Sequence, residues 1–219
     1  QSFVTIPKHG MIQFHPSLLP LHRGPSSINW AIIQGRRNTG LTIFRPTDGL
    51  DEGAVILQKE VEIAPDDTLG SVYFDRIFPL GIKALLEAAD TVVAGRARET
   101  QQDESQASYE GWCRAAESQI NWANHADKIY DLIRGCNPAP GAWCKWGEKK
   151  LYLFESKKIP VRVFATVKGF KPGQVMKIEG GSFTVCAHGG LIEVQRCRVD
   201  DGKKIAGNEA GIEPGTILG

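Results

Sequence analysis

A histidine closes the short apolar run Met11-Ile12-Gln13-Phe14-His15, and Pro16-Ser17-Leu18-Leu19-Pro20-Leu21-His22-Arg23-Gly24-Pro25 follows at once. An imidazole titrates near neutral pH, so it can pass a proton or, when charged, stabilise a developing oxyanion. The prolines stiffen the backbone after His15, which suits a held catalytic group better than a packing residue. Gln13 lies two residues earlier, so on an extended strand its amide and the imidazole face the same way, and the amide can donate to a carbonyl oxygen beside the ring. A complementary carboxylate is Asp51, within Asp48-Gly49-Leu50-Asp51-Glu52-Gly53. The glycines there allow tight turns and close approach of a ligand to the backbone. Each residue also has a plainer reading: His15 as a hydrogen-bonded structural histidine, Gln13 as a polar residue at a sheet end, Asp48 and Asp51 as local turn caps. Spacing alone does not show that His15 and Asp51 meet.

Other chemistries find little support. Ser17 has no GxSxG context, so a serine-hydrolase reading fails. His22 and Arg23 are read as loop anchors or solvent-facing groups. His9, His125 and His188 form no metal-like spacing with carboxylates or thiols, and the five cysteines (Cys113, Cys136, Cys144, Cys186, Cys197) are scattered without CxxC spacing, so neither a zinc site nor a disulfide framework is expected. They read as reduced thiols of a cytoplasmic protein. With 26 Lys and Arg against 25 Asp and Glu in 219 residues, no bulk charge calls for nucleic acid or an anionic membrane as partner. No apolar run approaches the roughly 20 residues of a spanning helix, and residues 1–10 lack the layout of a signal peptide.

The elements that must hold these groups follow the alternation of an α/β protein. Residues 11–14 read as a strand, and 26–35 as a buried helix on the spacing of Ile28, Ala31 and Ile32. Residues 41–44 and 54–61 read as two strands joined by the turn formers of 45–53. Thr68 is placed as the cap of a helix to Phe78, Pro79 as its interruption, and 82–93 as a second helix. Residues 96–109 are polar and without periodicity, and read as a connection. Beyond it, Asn124 caps a helix stopping at Gly135, after which 142–146, 150–155, 160–167, 173–178, 182–187 and 191–198 are β-leaning at the close spacing of a small barrel. The expected domains are 1–112 and 113–219, the latter with a leading helix.

Three stretches taken together, FHPSLLPLHRGPSSINWAIIQG (14–35), GLTIFRPTDGLDEGAVILQKEVEIAPDDT (40–68) and IRGCNPAPGAW (133–143), resemble the formyltransferase family that uses 10-formyltetrahydrofolate. Within it the likeness is greatest to the hydrolase domain of the 10-formyltetrahydrofolate dehydrogenases, with the methionyl-tRNA formyltransferases nearby. The resemblance implies the C-terminal part of a Rossmann-like formyltransferase domain followed by an OB-like barrel, and a nucleotide-binding-like half before HPSLLP, so the chain is read as a fragment. It implies catalytic roles for His15 and Asp51, and for Gln13 where the family has asparagine; the added methylene displaces the amide. It implies that the backbone from Thr47 through Asp48 and Gly49 to Leu50 holds the pterin ring and that Leu18 and Leu19 form an apolar wall. The implied partners are 10-formyltetrahydrofolate as formyl donor, without a metal, and a formyl acceptor: water, an amine, an amino sugar or tRNA. A folate-binding protein that has lost its chemistry is the alternative from another class.

Overall fold

The computed structural model describes residue 4 and residues 6–219, so part of the 1–10 stretch read above for a signal peptide lies outside the described residues. The chain divides into two compact units: residues 1–31 with 36–112, and residues 32–35 with 113–219.

The first unit is built on one antiparallel sheet, in the order β1 (Gln13–His15), β2 (Asn38–Phe44), β3 (Val55–Glu62). Among the described residues every strand pairing in this sheet is antiparallel. Strand side chains alternate between faces, and each face of β2 is covered by something different. Leu41 and Ile43 pack with Ala84 and Ala88 of α2 (Phe78–Val93), and Phe14, opposite Ile43, joins them. Phe14 fits because Gly81 offers no side chain: a Cβ there would lie 2.7 Å from its ring. On the other face Thr42 pairs with His15 on one side and Gln58 on the other, and the loop after His15 folds over this row. Helix α1 (Ser27–Ile33) follows that loop.

Pro79 does not interrupt the helix as expected. Residues Ser71–Ile77 form a π-helical stretch that runs directly into α2, with Pro79 in the first turn of the α-helical part. There a missing N–H costs least, and the wider π turn accommodates the change of bonding. Thr68 does cap the start: its hydroxyl accepts from Ser71 N at 3.1 Å, and the Ser71 hydroxyl accepts from Thr68 N at 3.0 Å. The connection 96–109 is not a bare linker either. Thr100 bridges to Val55, and Tyr109 to Arg23.

The second unit opens with α3 (Ala126–Gly135), capped by His125, whose ring nitrogen accepts from Asp127 N; the cap is one residue later than the Asn124 expected. Its strands are β4 (Ala142–Trp146), β5 (Lys149–Leu153), β6 (Ser156–Pro160), β7 (Val175–Glu179), β8 (Ser182–Ala187), β9 (Gly190–Val194), β10 (Arg196–Val199) and β11 (Ile205–Ala206). They pair as two separate four-stranded sheets, β11-β10-β5-β4 and β6-β9-β8-β7. Among the described residues no ladder joins the edges of the two sheets, so a closed barrel is not seen there. The expected strand 160–167 is corrected, because pairing stops at Pro160 and 164–166 is a short 3-10 turn. Every residue of β8 is buried, and α3 packs against β6 and β9. All five cysteines are buried free thiols. No helix among the described residues is long and apolar enough to cross a membrane.

Candidate active site

Burial of Thr42 forces its hydroxyl to find partners, and those partners are the loop backbone. The hydroxyl donates to Ser17 O at 2.7 Å and accepts from Leu19 N at 3.1 Å and from the Gln58 amide at 2.9 Å, while that amide also donates to Leu19 O at 2.8 Å. Ser17 in turn donates to Leu21 O at 2.6 Å, and Ser27 to Pro16 O at 3.0 Å. The HPSLLP segment is thus stitched to the sheet through the side chains of Thr42 and Gln58.

That stitching turns the chain back so that the His22 carbonyl accepts from His15 Nε2 at 2.8 Å. With Nε2–H committed to a carbonyl, Nδ1 is the ring nitrogen left for chemistry. It faces Asp51 Oδ2 at 3.5 Å, with both side chains buried. The same carboxylate oxygen accepts from Gly24 N at 3.0 Å, so it is aimed by the backbone that follows the histidine turn. Asp51 adopts a left-handed backbone, φ 58°, a conformation Asp tolerates better than most residues. The close approach at the end of its loop requires glycine: a Cβ on Gly53 would lie 1.4 Å from the Arg45 carbonyl oxygen.

A set of contacts beneath the pair comes from the polar segment 100–110. Arg23 is fully buried, and its guanidinium donates to Gln102 Oε1 at 3.2 and 2.8 Å, to both Glu104 oxygens at 2.9 and 2.7 Å, and to the Tyr109 hydroxyl at 2.8 Å. The hydrogen bond to Glu104 holds the guanidinium above its ordinary pKa, and Arg23 holds the Glu104 carboxyl below its own. The other end of the Gln102 side chain donates to Asp51 O at 2.8 Å and Gly53 O at 2.7 Å. Ser108 completes the clamp: its hydroxyl accepts from His22 N at 2.8 Å and its carbonyl from Arg23 N at 2.9 Å. His22 is buried in a left-handed conformation, φ 56°. Burial pushes its imidazole below the ordinary value against the opposing Glu110 carboxylate, 3.2 Å from Nδ1. Burial also raises the thiols of Cys144 to about 12 and Cys197 to about 11, so neither is a nucleophile near neutral pH.

The structure therefore brings His15 and Asp51 together and leaves the remaining candidates more open. Gln13 is exposed on the strand that carries His15, with no hydrogen bond from its amide among the described residues. Thr47 and Asp48 are exposed, Gly49 is half-buried, and Leu50 is 57% exposed although it adjoins the buried Asp51. Leu18 is half-buried against Gly40, and Leu19 is a core residue beside a cleft of about 280 Å³ lined also by Pro20, Val55, Gln58 and Gln102. The expectation that His22 and Arg23 are loop anchors or meet solvent is settled toward burial. Gln102, Ser108 and the His22 carbonyl carried no sequence signal, because a polar, aperiodic stretch looks the same whether it is solvated or clamped.

Both parts of the chain are similar to known proteins. Formyl transferase matches residues 1–89, and Formyl transferase, C-terminal domain, matches residues 113–211. Human cytosolic 10-formyltetrahydrofolate dehydrogenase is 38% identical over 208 residues, which is 92% of this chain and 23% of that protein. The chain thus spans about a quarter of the length of the dehydrogenases it matches. Methionyl-tRNA formyltransferase from Geobacter sulfurreducens is 31% identical over 223 residues, covering all of this chain and 68% of that enzyme. Among solved structures, HypX from Aquifex aeolicus in complex with tetrahydrofolic acid superposes with a TM-score of 0.73 at 20% identity, over 90% of this chain and 34% of that one, a likeness of fold. With matches to both domains and a relative aligned over two thirds of its own length, the chain belongs to the formyltransferase family.

Proposed function

We propose that this protein carries the His–Asp centre of a 10-formyltetrahydrofolate-dependent one-carbon enzyme, acting by hydrolytic deformylation or by formyl transfer to an amine. The single observation that supports this most is the approach of His15 Nδ1 to Asp51 Oδ2 at 3.5 Å, with Nε2 anchored on the His22 carbonyl. A histidine–carboxylate contact held from both ends is placed to move a proton at Nδ1. The donor's needs fit what adjoins the pair in sequence: a protruding apolar side chain at Leu50, the exposed residues Thr47 and Asp48, and at Gln13 an exposed amide with no hydrogen bond among the described residues.

In this reading the oxygen of water, or an amine nitrogen, bonds to the formyl carbon on N10, and the carbonyl opens to an oxyanion. Nδ1–H of a protonated His15 stabilises that charge, with the Gln13 amide as second donor. Asp51 takes the proton released by the attacking group or orients it, and collapse of the intermediate breaks the C–N10 bond as N10 gains a proton, giving tetrahydrofolate and formate or an N-formyl product. Gln13 stands where the family has asparagine, and its longer side chain is better matched to loose positioning of an acceptor such as water than to tight registration of an amine. Transfer to methionyl-tRNA or an amino sugar is the acceptor alternative, separated by screening acceptors with purified protein. Binding without chemistry is the other alternative.

The test is His15→Ala, assayed by release of tetrahydrofolate from 10-formyltetrahydrofolate. Loss of a positioned proton-transfer group costs on the order of 10²–10⁴ in rate, while calorimetric affinity for a non-reactive 10-formyl analogue is retained. Wild-type turnover in His15→Ala refutes the reading; tight analogue binding with no product from the unmodified protein refutes catalysis and leaves a binder.

A further inference from the structure

We infer that Gln102 is the positioning residue of the His15–Asp51 pair, an inference that rests on the catalytic reading above. Its amide is engaged at both ends. The N–H₂ group spans Asp51 O and Gly53 O at 2.8 and 2.7 Å, and Oε1 accepts twice from the Arg23 guanidinium at 2.8 and 3.2 Å. Both donors and both lone pairs are thereby used, so the side chain has one orientation.

What it joins are the two supports of the pair. Asp51 sits in an uncommon left-handed conformation, which persists only where the surroundings hold it. Gln102 grips the carbonyl of that very residue. Arg23 follows directly after His22, whose carbonyl fixes the His15 ring through Nε2. One amide therefore sets the backbone bearing the carboxylate against the backbone bearing the imidazole's anchor. Tyr109 makes a second link, from Arg23 to the Glu52 carboxylate at 2.7 Å, but Tyr109 and Glu52 are both exposed and the link ends on a flexible side chain. It cannot fix the Asp51 backbone. Gln102 touches no reacting atom and acts through Asp51.

Gln102→Glu separates the two ends in the intact protein. A carboxylate keeps the acceptor facing Arg23 and sets an oxygen against the carbonyls of Asp51 and Gly53, which then lose their donor. A displacement of about 1 Å at the reacting groups corresponds to roughly a 100-fold loss in kcat, and the loss falls on kcat more than on KM for 10-formyltetrahydrofolate because Gln102 acts through the Asp51 backbone. In a His15→Ala background the same substitution is expected to cost nothing further, since there is no pair left to position. Gln106→Glu, in the same segment and exposed, should leave turnover at the wild-type level. Should Gln102→Glu fail to fold, Gln102→Met carries the same comparison with volume retained and both ends removed. Wild-type kcat in the Gln102 variant, a loss confined to KM, or an equal loss with and without His15 overturns the inference. Full turnover in His15→Ala instead overturns the catalytic reading and this inference with it, so the two failures are distinguishable.

Discussion

Replacing Gly53 by alanine tests whether the hairpin loop is held by backbone contact. An added Cβ at Gly53 would fall 1.4 Å from the Arg45 carbonyl oxygen, where ordinary contact begins at 3.4 Å, so the loop must open by about 2 Å. Neither side is a flexible tip that can swing away. Opening breaks the bond from Arg45 N to Ala54 O, now 2.9 Å, and the one from the Gln102 amide to Gly53 O, now 2.7 Å. Leaving such groups unsatisfied costs about 1–3 kcal/mol each, so Gly53→Ala should lose about 2–6 kcal/mol, a large part of a stability of roughly 5–15 kcal/mol. Gly49 in the same loop makes the internal comparison. A Cβ there meets the Glu52 carboxylate tip at 1.8 Å, but that side chain is exposed and can rotate into solvent, so Gly49→Ala should stay within about 0.5 kcal/mol of the parent. Urea unfolding followed by circular dichroism gives both values, with the slope checked for constancy. Turnover should follow, because Asp51 lies two residues from the clash. A Gly53→Ala protein within about 1 kcal/mol of the parent, or a Gly49→Ala protein equally damaged, refutes the reasoning.

Two further expectations concern the face that carries His15. Thr42→Val retains the side-chain shape but strips three hydrogen bonds from a fully buried site, and urea midpoints should report a loss of about 2–4 kcal/mol. His22 supplies a pH dependence: burial keeps its folded-state pKa below the ordinary 6.5, so below that pH the unfolded chain binds a proton that the native protein resists. Stability from this group is complete above about 6.5 and declines as pH falls through that value toward the lower folded pKa. His22→Asn, which tolerates the left-handed backbone, should flatten the acid side of an unfolding midpoint plotted against pH; an unchanged slope argues against the assignment.

Local chemistry determined much of the frame. The apolar run ending at His15, the turn formers between β2 and β3, and the helical character of residues 82–93 are written in neighbouring residues, because hydrogen bonding and steric preference act over a few positions, whereas the face of α2 that is buried, Gly81, Ala84, Ala88 and Val92, is set by packing. The motifs of residues 14–35 and 40–68 carried the family likeness in the same way. Three further matters were decided only by tertiary structure. The approach of His15 to Asp51 depends on Thr42 and Gln58 folding the proline loop over the sheet, an arrangement with partners tens of residues apart. Burial of Arg23 depends on Gln102, Glu104 and Tyr109 returning from a segment with no periodicity, and polar residues look alike in sequence whether they meet water or a guanidinium. The strands after Gly141 were largely visible, but whether their ladders close or stand as two sheets is set by which edges meet, and edge pairing is a long-range contact that local pattern does not encode.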